Sequence, residues 1–233
     1  EGRTEDTWMH HLYDIARQQA ARKRVEMPDF DTFWSVGYAE SPAPDKPYVF
    51  LSEFRTDPSA NPLETPSGKI EIFSETIDSY DYDDCPGHAT WMEPFEWLGA
   101  SASENFPLHL ISNQPNTRLH GQLDPGRVSR NSKVSEREPV RINPTDAASR
   151  GIADGDVVRI FNKRGAILAG AVLTANVRPS VIEISTGAWY DPLEPGTIGS
   201  LDRHGNPNVL TFDKGTSRLA QGPTAHSTLV EME

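Results

Sequence analysis

Between residues 139 and 184 the chain sets short apolar runs against turn chemistry at close intervals, and few folds tolerate that pattern. Pro139-Val140-Arg141-Ile142 reads as a strand, and Val157-Val158-Arg159-Ile160-Phe161 as another. Residues 166–174 read as a third strand and Val181-Ile182-Glu183-Ile184 as a fourth. Asn162-Lys163-Arg164-Gly165 fits a hairpin turn between the second and third, with Gly165 expected to take positive φ. Between the first two strands, residues 143–151 predict a helix of one to two turns, with an Asn cap, Pro at the first position and a terminal Gly. Residues 227–232 alternate into a closing strand. Short strands with a single short helix among them indicate a mainly β fold, a compact barrel or sandwich.

The strand ahead of this block carries the most unusual polar sequence. In residues 108–123, Leu108, Leu110 and Ile111 read as buried strand, and residues 112–117 bring hydroxyls, amides and a proline that stops the ladder. Arg118, His120 and Gln122 then fall two apart. An extended backbone would project all three from one face and turn Leu119 and Leu123 away. A cation, an imidazole and an amide aimed at one place suit a ligand with phosphate and heterocycle edges. Taken alone, the plainer reading is an edge strand with a solvated polar face.

Charge divides the chain. Residues 1–100 hold 8 Lys/Arg against 20 Asp/Glu, and residues 101–233 hold 14 of each, with a local basic concentration at Arg118, Arg127, Arg130, Lys133, Arg137 and Arg141. Acidity argues against general nucleic-acid binding, while clustered arginines can still hold one small anion. The apolar runs are too short for a membrane-spanning helix, and the first residues lack a signal-peptide hydrophobic core. The single Cys85 excludes an intrachain disulfide framework. With His88 it makes a C-x-x-H spacing, but a zinc site needs about four ligands and none is paired nearby, so a coincidental loop is the reading; His10 and His11 are treated likewise. Opening on Glu1 rather than Met, the chain looks like a piece of something longer.

In the first hundred residues, 7–24 predict an amphipathic helix with acids at its start and Arg22-Lys23-Arg24 at its end. Residues 29–37 predict a second, capped by Asp29 and closed near Gly37. The proline-rich stretch 41–68 reads as mostly irregular, with Tyr48-Val49-Phe50-Leu51 a candidate strand. Thr65-Pro66-Ser67-Gly68 is a turn, residues 69–73 alternate as a strand, and Ser74 caps a helical turn. Near the other end, three loops leave strand ends: Gly187-Ala188-Trp189-Tyr190-Asp191-Pro192, Gly205-Asn206-Pro207-Asn208, and residues 215–222, which resemble a capped helical turn.

These segments together resemble, in order and over essentially the whole chain, the C-terminal part of a molybdenum oxidoreductase of the dimethyl sulfoxide reductase family. The likeness is closest to its trimethylamine N-oxide and biotin sulfoxide reductase branch. It is carried by residues 62–71, 112–123, 143–155, 187–192, 205–211 and 215–217. The resemblance implies that residues 104–233 form a six-stranded double-psi β-barrel binding molybdopterin guanine dinucleotide, preceded by residues 1–103 as a mixed α/β segment from adjoining domains. It implies a bis(molybdopterin guanine dinucleotide) molybdenum cofactor and reduction of a small S-oxide or N-oxide by oxygen-atom transfer. Carried over residue by residue, cofactor contacts are expected at Ser112, Asn113, Arg118, His120, Gln122, Trp189, Tyr190, Asn208, Ser217 and Gln221, with Arg118 on phosphate and Trp189 and Tyr190 as walls. In this branch the molybdenum ligand is a serine far upstream. No residue here is therefore expected to be catalytic or to bind the metal, and the 233 residues are not expected to turn over alone. The upstream part of the enzyme and an electron donor are the implied partners, and a periplasmic location is favoured over a cytoplasmic one. A formate dehydrogenase or nitrate reductase of the same superfamily is a second reading, and a stand-alone double-psi barrel binding module a third.

Overall fold

The computed structural model describes residues 2–41, 43 and 45–233, and it divides into two compact units, 1–71 and 72–233. Glu1 and the prolines 42 and 44 of the proline-rich stretch lie outside the described residues.

In the first unit α1 (Glu5–Arg22) starts two residues earlier than its apolar spacing predicts, because the Thr4 hydroxyl accepts the Thr7 N–H and caps it. Helix α2 (Phe30–Val36) begins on the Asp29 cap and stops at Gly37, whose φ of 87° no side-chain-bearing residue takes cheaply. Tyr13 joins the two helices. Its ring stacks on Phe33 at 4.7 Å between centroids, and its hydroxyl donates to the Pro28 carbonyl at 2.9 Å. The strand expected at 48–51 does not form: Leu51 turns to φ 59° and the backbone enters α3 (Ser52–Thr56). The turn at 65–68 is present, with the Gly68 N–H donating to Thr65 O at 2.9 Å. Residues 69–73 make no strand. Ile70 and Ile72 stand exposed, and only Phe73 bridges, to His88. Both expectations failed for one reason, since alternation makes a strand only where a partner edge satisfies the backbone.

The second unit opens with α4 (Glu75–Asp78), capped by Ser74 as expected, and then builds the barrel. Its strands are β1 (Leu108–Ile111), β2 (Pro139–Ile142), β3 (Val157–Phe161), β4 (Ala166–Leu173), β5 (Val181–Ile184) and β6 (Leu229–Met232). Helix α5 (Arg127–Arg130) lies between β1 and β2, and α6 (Pro144–Ala148) follows β2. The sheet closes in the order β1-β5-β2-β4-β3-β6, with β1·β5 and β2·β4 parallel and the other four pairings antiparallel. Closure leaves no sheet edge unpaired. Inward residues Leu110, Val140, Ile142, Ile160, Ile167, Ile182 and Ile184 are fully buried and form one core. The six-stranded β-barrel expected from sequence is borne out.

Two glycines serve close approach. Gly165 in the β3–β4 hairpin does not take the expected positive φ; a Cβ there would lie 2.6 Å from Val209 Cγ1. At Gly170 a Cβ would lie 2.3 Å from Val134 Cβ, so the connection from β1 to β2 crosses strand β4 only over a glycine.

Strand directions set where function can sit. β1, β3 and β5 end, and β2, β4 and β6 begin, at the same barrel end. Connections 112–138, 162–165 and 185–228 therefore all emerge there, and 143–156 and 174–180 emerge at the other. All ten residues singled out in the sequence lie on the first set.

Candidate functional site at one barrel end

The segment after β1 is not extended. Its ladder with β5 stops at Ile111, and the chain folds into a tight turn in which Leu119 bridges Gln122 and both His120 (φ 50°) and Leu123 (φ 60°) are left-handed. Arg118, His120 and Gln122 consequently do not share a face. The Arg118 side chain turns inward and is 0% exposed, while His120 and Gln122 face solvent beside the exposed Leu119 and Leu123.

Inside, Arg118 joins a buried network of charge. Its Nη2 donates to Glu138 Oε2 (3.1 Å) and Thr186 O (2.9 Å), its Nη1 to Ser129 Oγ (3.2 Å) and its Nε to His120 O (3.1 Å). Lys133 Nζ donates to Asp124 Oδ1 (2.6 Å) and to Glu138 Oε2 (2.5 Å). Asp124 Oδ2 accepts the Trp189 backbone N–H (3.0 Å) and lies 2.9 Å from His204 Nε2. Two cations and two carboxylates thus balance out of water. Burial alone would raise the Asp124 pKa, but the Lys133 ammonium, the Trp189 N–H and His204 outweigh it and hold the carboxyl at about 2.

In this structure Arg118 does not offer the open fork that the sequence expectation of a phosphate contact called for: its donors go to the Glu138 carboxylate, the Ser129 hydroxyl and the His120 and Thr186 carbonyls. Its work is to fix the 118–124 turn against the loop after β5. Gly187 allows that contact. It sits at φ 90°, and a Cβ on it would fall 2.0 Å from His120 O. Trp189 completes it by donating Nε1–H to Gly121 O at 2.7 Å.

Other expected residues gather around the same seam. The Ser185 hydroxyl donates to Asn113 Oδ1 (3.1 Å), the Thr186 N–H donates to Asn113 O (2.9 Å), and Gln114 Nε2 lies 3.2 Å from His120 Nδ1. Ser112 precedes Asn113 half-buried, and Tyr190 follows Trp189 with both rings more than half exposed. The structure thus brings together Ser112, Asn113, Arg118, His120, Gln122, Trp189 and Tyr190. It does not join Asn208, Ser217 and Gln221 to them by any hydrogen bond among the described residues. Asn208 lies in a single 3₁₀ turn, Pro207–Val209. Residues 215–222 form an irregular loop rather than the expected helical turn. In it Ser217 Oγ accepts the Ala220 N–H, and Gln221 Nε2 donates to Ser217 O.

Between the segment 124–137 and the segment 189–204 the same barrel end opens a cavity of about 1150 Å³. Trp189 and Tyr190 form one wall, Arg127 and Arg130 of α5 another, and Arg137 and His204 also line it. Sequence reasoning missed Asp124, Ser129, Lys133, Glu138 and His204 as site residues. The sequence signal for the first four was the mixed charge of 124–138, in which only Lys133 stood out as part of the basic cluster and which is indistinguishable from a solvated face until burial is known; His204 carried no signal. No group of three or more His, Cys, Asp or Glu side chains among the described residues could hold a metal ion. Among the described residues, no helix is long and apolar enough to cross a membrane.

Comparison with known proteins adds three findings. Residues 108–229 match the family described as molydopterin dinucleotide binding domain. The chain is 49% identical over 234 residues to a dimethyl sulfoxide/trimethylamine N-oxide reductase of Cereibacter sphaeroides, and 48% identical over 238 residues to trimethylamine-N-oxide reductase 1 of Escherichia coli strain K12. In both cases all of this chain aligns with 28% of the relative, so it spans little more than a quarter of their length. Among solved structures, acetylene hydratase from Pelobacter acetylenicus superposes with a TM-score of 0.63 at 18% identity, over 88% of this chain and 27% of that one, a likeness of fold.

Proposed function

Because the chain belongs to the molydopterin dinucleotide binding domain family, we propose that it is the cofactor-binding portion of a molybdenum oxidoreductase that reduces S-oxides or N-oxides. The observation that carries this reading is the convergence at one barrel end of every amide, imidazole and aromatic residue expected to face the cofactor. Identity of 46–49% to reductases of these oxides over the whole chain supports the substrate class.

The donor set fits a pterin dinucleotide. His120, Gln122, Asn208, Ser217 and Gln221 offer donors and acceptors matched to heterocycle edges, and Trp189 and Tyr190 offer flat apolar surface that excludes water. When bound, the molybdenum cofactor supplies the two-electron oxygen-atom transfer. The protein's part is positional. The buried Arg118–Glu138–Lys133–Asp124 network fixes the turn that presents His120 and Gln122, and the Asp124–Trp189 hydrogen bond sets the aromatic wall opposite. The cofactor is taken to be the bis(molybdopterin guanine dinucleotide) form, with the metal's protein ligand and the second half of the cofactor cleft supplied by upstream sequence.

Full-length protein produced with cofactor should contain molybdenum and about two guanines per metal, and should reduce trimethylamine N-oxide or a sulfoxide with a reduced viologen as donor. The double variant H120A/Q122A should lose most of the bound molybdenum and guanine with an unchanged thermal midpoint. Full-length, cofactor-replete protein without molybdenum would sink the proposal. One guanine per metal would sink only the bis form.

A further inference from the structure

Residues 210–228, the last stretch before β6, form no strand or helix, yet they carry Ser217 and Gln221. What holds this loop comes from far upstream. Arg164 of the β3–β4 hairpin donates Nη1–H to Glu96 Oε1 and Nη2–H to Glu96 Oε2, each at 2.9 Å. Glu96 Oε2 also accepts the Leu229 N–H at 2.7 Å, where the loop enters β6. Arg164 in turn donates Nε–H to Leu210 O at 2.7 Å and lays its guanidinium over the Phe212 ring, 4.0 Å from the centroid. One ion pair therefore ties both ends of the loop. Two further contacts follow the same line: Phe95 packs edge-on against Phe212 at 5.4 Å between centroids, and Asp84 Oδ2 accepts the Arg218 N–H at 3.1 Å, next to Ser217. Asp84, Phe95 and Glu96 all lie ahead of residue 108, where the matched family domain begins.

We propose that Glu96 and Arg164 are positioning residues for the loop 210–228, and that the cofactor-binding unit extends upstream of the family domain to include residues 84–96. The inference rests on the cofactor reading above. A guanidinium gripped by both oxygens of a carboxylate is fixed in angle as well as distance. Within the loop, Gly215 bridges Pro223, the Thr216 N–H donates to Gly222 O and the Ser217 N–H to Ala220 O, so 215–223 moves as one small piece whose place is set by its ends. Neither Glu96 nor Arg164 is assigned a contact with the cofactor. Their pair sets where Ser217 and Gln221 stand, as the Arg118 network sets the 118–124 turn.

The test compares full-length wild type, E96Q, R164Q and the double variant, each prepared with and without cofactor. In the cofactor-free proteins, amide hydrogen exchange of peptides within 210–228 should run about tenfold faster in E96Q and R164Q, while peptides within 118–124 stay unchanged. In the loaded proteins, guanine release is followed at urea concentrations set to the same fraction of each variant's unfolding midpoint. It should be about tenfold faster in E96Q. The double variant should release no faster than R164Q, because either loss breaks the same pair. Asn143→Ala, at the other barrel end and matched in the same way, should release at the wild-type rate, which separates loop position from lost stability. Unchanged exchange in 210–228 would overturn the proposal by showing that the pair does not hold the loop. Release from E96Q no faster than from Asn143→Ala would overturn it by showing that the loop's place does not matter to the cofactor. Should R164Q not fold, E96Q decides through both measurements. Wild-type protein lacking molybdenum and guanine would instead fail the cofactor reading itself, and this inference with it, before any variant is compared.

Discussion

The two ends of the barrel solve the same problem in different ways. At the end carrying connections 143–156 and 174–180, each turn is satisfied by a nearby side chain: Asn143 Oδ1 accepts Thr145 N–H, Asp146 Oδ2 accepts Ser180 N–H, and Asp154 Oδ1 accepts Leu173 N–H. The opposite end carries the longer connections 112–138 and 185–228, and beside local turns such as those on the Asp202 carboxylate it is braced by the buried charges of Arg118, Asp124, Lys133 and Glu138. Such a network contributes little net stability against an apolar replacement, yet removing one member strands the rest. Its value lies in orientation. The difference teaches that on this end the residues that hold the loops are buried and the residues proposed to meet a ligand are exposed.

The sharpest way to break that distinction is Arg118→Ala. It leaves Glu138 and three carbonyl or hydroxyl acceptors short of a donor, and should destabilise the protein by about 3–5 kcal/mol in urea unfolding. If instead stability is kept and only cofactor content falls, Arg118 is a ligand-facing residue after all. Next in size is Gly187→Ala. A Cβ at φ 90° and 2.0 Å from His120 O must force the two loops apart. A loss of at least about 2 kcal/mol is expected, with cofactor content falling as well because the Trp189 wall moves with it.

A smaller effect separates the ends by pH. The Asp124 carboxyl has its pKa lowered from 3.8 to about 2 in the folded state. Its contribution is therefore complete above about pH 4 and is lost as the pH falls toward 2. Unfolding midpoints measured at pH 7 and pH 3 should drop further for the wild-type chain than for Asp124→Asn, which has no carboxyl to protonate. Equal drops would show that the network does not depend on this charge.

Most of the barrel was legible because its signals are local: alternation in β3, the Asn143-Pro144 helix start and the run of isoleucines facing one core. The site was legible only in part. The positions of Trp189 and Tyr190 at a strand-end loop follow from turn chemistry and order along the chain. The inward turn of Arg118 does not, because it depends on Glu138 and Asp124 meeting it from distant positions, and a period-two reading assumes an extended backbone that the left-handed His120 and Leu123 break. Likewise the alternation in 69–73 carried no information about whether a partner strand existed.

The finest test lies at the end that carries none of the candidate ligand residues. Asn143→Ala removes the cap of α6 and the donor from Nδ2 to Val177 O at 2.7 Å, which ties the two connections of that end together. A cap is worth about 1–2 kcal/mol, so the unfolding midpoint should shift modestly. Molybdenum and guanine content should not shift, since the barrel core between the ends is closely packed isoleucine, valine and leucine and transmits no loop displacement unless a strand slips register. Should cofactor content fall in proportion to stability, the ends would be coupled through the barrel. The contrast between locally capped and charge-braced loops would then describe two routes to one rigid body rather than a division between structure and binding.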